Sequence, residues 1–127
     1  MLKTKSLLPL ILLPLLLGGC STTITNLTPS QQVRNTTGLY PIEACWDSNE
    51  RSIRKDSIKP YVVVGAEFYP MQPTSMTVNR WETLVPVPAN QKFITFKFKF
   101  DYQYDSMPMP RGNSRLSSLY QLEIVDK

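Results

Sequence analysis

Lys92-Phe93-Ile94-Thr95-Phe96-Lys97-Phe98-Lys99-Phe100-Asp101-Tyr102-Gln103-Tyr104 is the stretch that decides the fold. Ile94, Phe96, Phe98, Phe100, Tyr102 and Tyr104 stand at every second position, with Thr95, Lys97, Lys99, Asp101 and Gln103 between them. Side chains of an extended chain point alternately to opposite faces, so this pattern makes one oily face and one wet face. A helix would scatter the same aromatics around its circumference. The segment reads as a β-strand with one face on a core and the other in water.

The neighbouring segments obey the same logic. Tyr40, Ile42, Ala44 and Trp46 alternate over residues 40 to 46. Residues 59 to 69 hold the β-branched run Val62-Val63-Val64, with Val62, Val64, Ala66 and Phe68 on one side and Gly65 as a bulge or bend. Residues 77 to 87 align Trp81, Thr83, Val85 and Val87, and residues 119 to 125 align Tyr120, Leu122 and Ile124. Thr23 to Leu27 alternates too, as a first edge strand that ends at Pro29. Turn-rich pieces at 47–50, 70–75, 86–91 and 105–118 separate these runs, and residues 51–58 read as a short strand or an irregular crossover. Six or seven short strands at this spacing predict an all-β, antiparallel two-sheet sandwich, with a small barrel as the competing architecture. In proportions the chain resembles immunoglobulin-like and fibronectin-type domains, without their Cys-Trp-Cys signature.

The chain opens with a different chemistry, Met1 to Cys20, MLKTKSLLPLILLPLLLGGC. Lys3 and Lys5 form a positive head, residues 7 to 17 are almost wholly apolar, and Gly18-Gly19 precede the cysteine. That is the layout of a secretory signal. The apolar run is shorter than a membrane span and is broken by Pro9 and Pro14. Leu17-Gly18-Gly19-Cys20 resembles the lipobox of bacterial lipoproteins. The resemblance implies export, acylation of Cys20, removal of residues 1–19 and a membrane anchor. Two or more acyl chains hold a protein stably, whereas one holds it only reversibly. Residue 21 is Ser and not the Asp that favours inner-membrane retention in enteric-type bacteria, so the expected place is the cell envelope at the outer membrane.

Removal of residues 1–19 from the 127 leaves 108, enough for one domain with its own core. The mature part carries 12 basic and 10 acidic residues, a net charge of +2 that gives no argument for nucleic acid. All 13 aromatic residues lie at or beyond Tyr40, so residues 20–38 read as a polar tether that includes the edge strand, and 39–127 as the sandwich. The sequence has no histidine, which excludes Ser-His and Cys-His nucleophile pairs and His-ligated metals. With Cys20 acylated, Cys45 is the one thiol left; it is either a small packing residue, buried or half-buried, or paired with another chain. The acidic residues are scattered; pairs such as Glu67 with Glu82 or Asp101 with Asp105 could be weighed as a two-carboxylate site, but nothing singles them out from solvent-face charges of strands. We expect no enzyme, cofactor or metal.

Two surfaces invite a binding role. In Asp105 to Arg115, Met107 and Met109 alternate with Pro108 and Pro110, with Arg111 and Arg115 close by. Adaptable apolar side chains on a stiff backbone, rimmed by guanidinium groups, suit a protein partner in the envelope. The alternative starts from residues 85–101, where a Pro-rich turn leads into the Phe-Lys-Phe strand. That stretch resembles starch- and glycogen-binding modules, which stack sugars on exposed aromatics. The resemblance implies a carbohydrate ligand, with Trp46, Trp81 and Tyr69 as the stacking rings.

The lipoprotein reading makes a direct prediction. Cys20→Ser should leave an unprocessed precursor that takes up no labelled fatty acid. Normal processing with normal labelling in that variant rejects the reading.

Overall fold

A computed structural model describes residues 21–126; Cys20 and the expected signal segment 1–19, together with Lys127, lie outside the described residues. In chain order the strands are β1 (Thr22–Asn26), β2 (Gln31–Val33), β3 (Leu39–Ser48), β4 (Lys59–Val64), β5 (Glu67–Pro70), β6 (Gln72–Pro73), β7 (Arg80–Pro86), β8 (Phe93–Tyr104), β9 (Arg111–Leu116) and β10 (Tyr120–Val125). They form two sheets, β1-β3-β7-β6 and β2-β10-β8-β4-β5, with β9 also on β8. All pairs are antiparallel except β2 with β10. With the first strand shared between the sheets, this order corresponds to the immunoglobulin arrangement, ABED against GFCC′.

The two sheets pack through the aromatic alternation of β8. Ile94, Phe96, Phe98, Phe100 and Tyr102 are buried, and Tyr40, Ile42, Ala44 and Trp46 meet them from β3. Trp46 stacks on Phe100 with ring centroids 4.8 Å apart and tilts against Tyr102 at 5.6 Å. Phe96 and Phe98 each meet Tyr120 of β10 within 6 Å. Such pairs add directional attraction to the burial of large apolar surfaces. Tyr40 is buried, and its hydroxyl accepts the Asn35 amide at 3.1 Å, which satisfies the polar tip.

β9 and β10 lie end to end along one edge of β8. β10 pairs with Phe93–Phe96 and β9 with Lys99–Tyr104. Ser117 spans the junction: its amide donates to the Phe98 carbonyl at 3.0 Å, and its hydroxyl accepts the Phe98 amide at 2.8 Å. A side-chain oxygen here takes the place of a backbone carbonyl, so the ladder continues through a break in the strand.

Four expectations change. Residues 21–38 hold the expected edge strand as β1 but are no free tether, because β2 joins the other sheet and Arg34 pairs with Asp126 at 3.0 Å. Residues 59–69 are two strands, turned at Gly65-Ala66; Gly65 has φ +59°, a left-handed conformation that glycine adopts without steric cost. Residues 77–79 belong to the turn before β7, where Asn79 also has positive φ. The expected long loop 105–118 contains β9, so the connection after β8 is only residues 105–110. The sandwich therefore has more strand segments than the six or seven expected. Residues 51–58 hold a 3-10 turn, Lys55–Ser57, and a single bridge from Ile53 to Tyr104.

Phe98 is 0% exposed, while Lys97 lies on the opposite face. Phe98→Ala should cost about 3 to 5 kcal/mol in unfolding free energy. Lys97→Ala should stay within about 0.5 kcal/mol. Chemical denaturation of both variants checks this, and equal costs would refute the face assignment.

Candidate functional site

Three connections gather at one end of the sandwich. Cys45 pairs with Arg80, and the Trp46 amide donates to the Asn79 carbonyl, so the end of β3 lies beside the turn 74–79. The Asp105 amide donates to the Ser52 carbonyl, which ties the turn 105–110 to the crossover 49–58. In an immunoglobulin-type sandwich these are the loops of a single end.

The β8–β9 hairpin stands out there. Met107 and Met109 lie exposed at its tip, and all six residues of β9, RGNSRL, are exposed. Opposite partners across a ladder share a face, so Arg111, Asn113 and Arg115 share the inward side of Tyr104, Tyr102 and Phe100. They remain exposed, so no strand of the other sheet covers them. β9 pairs only with β8 and leaves its second edge open. The Ser114 amide is taken by the Asn113 side chain at 2.9 Å and not by β8, which places it on the open edge. The arginines and methionines singled out in the sequence are thus brought together on one projecting element.

A shallow groove of about 750 Å³ runs between this hairpin and the 3-10 turn, lined by Arg54, Lys59, Asp101, Gln103, Asn113 and Ser114 among others. Asp101 accepts two side-chain hydrogen bonds there. Lys99 Nζ donates to Asp101 Oδ1 at 2.7 Å, and Ser114 Oγ donates to the same oxygen at 2.6 Å. Partial burial alone raises the Asp101 carboxyl, but these two hydrogen bonds and the charges of Lys99 and Lys59 outweigh it, so Asp101 lies below the ordinary carboxylate range. Its hydroxyl partner joins β9 to β8 across their exposed face.

The stacking rings of the carbohydrate alternative fall elsewhere. Trp46 is 3% exposed and belongs to the core, and Trp81 and Tyr69 are half-buried against that core. Each faces inward from its strand: Trp81 is opposite Ala44, and Tyr69 is opposite Val62. These three rings do not form a flat exposed platform, because strand alternation points them into the sandwich. Trp46 and Trp81 do line a cleft of about 210 Å³ beside the crossover 49–58. There Trp81 Nε1 and Arg80 Nε are buried without a hydrogen-bond partner, a feature that nothing in the sequence signals.

The remaining candidates stay apart. Glu67 and Glu82 sit in different sheets, and Asp101 is engaged by Lys99 and Ser114. Among the described residues no three Cys, Asp or Glu side chains gather into a metal-holding group. Cys45 is a half-buried free thiol on the outer face of β3, in register with Thr25 and Arg80. No protein family, curated protein or solved structure matches the chain.

A carboxylate lowered in the folded state stabilises that state above its unfolded value and loses this as pH falls. Asp101→Asn should therefore melt below the parent at neutral pH. The gap should close as the pH drops below about 4. Thermal melts across that range test it, and a pH-independent gap would dismiss the ionic role.

Proposed function

We propose that this chain is a lipid-anchored, non-enzymatic accessory of the bacterial cell envelope, held on the outer membrane, that binds another envelope protein through its β8–β9 hairpin. The observation that carries this reading is β9, a fully exposed strand with an open edge and two arginines. An open edge offers unpaired backbone donors and acceptors to an added strand. It also invites self-pairing, which charges on the edge oppose. Arg111 and Arg115 would meet arginines in a second copy, so the element disfavours its own kind and favours an acidic segment. The anchor rests on the lipobox resemblance of residues 17–20. The non-enzymatic role rests on the missing histidine and the dispersed carboxylates.

A photoreactive residue at position 115 should form a discrete adduct with one envelope protein in intact cells. The same residue at position 89, on the opposite end, should not. Reversing the charge with Arg111→Glu should abolish the adduct without lowering stability, because the side chain is exposed. Adducts that are absent at 115, or insensitive to Arg111→Glu, place the partner surface elsewhere.

A further inference from the structure

We infer that the domain sits upright on the phospholipid bilayer, with the loop end beside Ser21 facing the lipid and the tips at Met76, Val78, Met107 and Met109 buried in the interface. This rests on the reading of Cys20 as the acylated residue.

Covalent geometry gives the first argument. Only Ser21 separates Cys20 from β1. At roughly 3.5 Å per residue, Thr22 cannot lie further than about 7 Å along the chain from residue 20. Ser21 is itself fixed to the end of β3: its amide donates to Asn49 Oδ1 at 2.6 Å, and its carbonyl accepts the Asn49 amide at 3.1 Å. An acylated Cys20 therefore holds this end of the sandwich, and no other, at the membrane surface.

The apolar surface of the molecule provides the second. Met76 is 103% exposed, Met107 88% and Val78 80%, the three highest values among its exposed large hydrophobics; Met109, at 63%, comes after Leu119 on the β9–β10 connection, at 66%. Met76, Val78, Met107 and Met109 lie on the turns 74–79 and 105–110, at the end that holds Ser21. The turns of the opposite end, 34–38, 65–66 and 87–92, expose no large apolar side chain, since Val87 is buried; Phe93, 48% exposed, is on the strand that follows. Met76 also has φ +59°, a left-handed conformation that disfavours residues with a side chain. The turn accepts that cost while displaying a large apolar group to the outside. Apolar side chains at this level enter the boundary between headgroups and acyl chains.

Charge contributes little. The crossover 49–58 has three bases, Arg51, Arg54 and Lys55, against Glu50 and Asp56. Asp105 in the turn 105–110 cancels that excess of one, so the seating owes nothing to a net charge of these loops and should survive added salt. The hairpin is divided by this arrangement. Its methionine tip meets lipid, while Arg111 and Arg115 on the strand stay available to a protein.

The test uses the acylated full chain with Cys45→Ser in vesicles of phosphatidylethanolamine and phosphatidylglycerol. An environment-sensitive dye is placed at Met76→Cys, Met107→Cys or Ala89→Cys, all exposed positions. At 76 and 107 the emission should shift to the blue and be lost to nitroxide-bearing lipids, in low and high salt alike; at 89 neither should happen. If all three sites behave alike while the mass of the N-terminal peptide shows acyl chains, the seating is wrong and the lipoprotein reading stands. A blue shift without lipid quenching means that a second copy or another protein covers the tips, which also overturns the seating. An unacylated Cys20 overturns both.

Discussion

Phe96, Phe98, Phe100 and Tyr102 project from one face of β8 into the space between the sheets, where Trp46, Tyr40 and Ile42 close over them. This packing sets the rest of the molecule. It fixes which face of β3 turns inward, and so sends Glu43 and Cys45 outward. It fixes the partners of β4 and β10 along the two edges of β8. Slipping β8 by one residue would exchange the aromatics for Lys97, Lys99 and Asp101 in the core, which the desolvation of charge forbids. β8 is longer than any other strand, and its last residues, Lys99 to Tyr104, carry β9 along one edge.

The two ends of the sandwich differ in chemistry as a result. One end has short polar turns. The other collects the crossover 49–58, the turn 74–79 and the hairpin tip, with the start of β1 tied among them. The start of β1, the apolar tips and the open edge of β9 thus share one region. If Cys20 is acylated as proposed, a partner strand added to β9 would approach within the plane of the membrane.

Where burial on one face imposes a pattern, the sequence displays it. β3, β8 and β10 each alternate clearly, and their inward residues are those the periodicity assigns. β9 was illegible for the same reason reversed. Neither of its faces is covered, so Arg-Gly-Asn-Ser-Arg-Leu carries no period and reads as loop. The turn at Gly65-Ala66 was hidden because Val63 is buried on the outer face beside Phe68, which blurred the alternation there. Met107 and Met109 could be read as exposed from their prolines. Their proximity to Ser21 and Met76 could not, since it follows from registers between distant segments, Thr22 with Ser48 and Ile53 with Tyr104. Trp46 and Trp81 suited either a core or a sugar platform by type alone, and only their strand phase decides.

The sharing of the first strand between both sheets has a mechanical consequence. β1 runs antiparallel to β3, and β2 runs parallel to β10, so the segment from Ser21 to Val33 is riveted in turn to each half of the sandwich. Ser21 emerges at one end and Asp126 at the other. Tension along that axis loads both ladders lengthwise, so their hydrogen bonds resist together and do not peel one after another. A domain wired this way behaves as a stiff strut under a pull between Ser21 and Asp126.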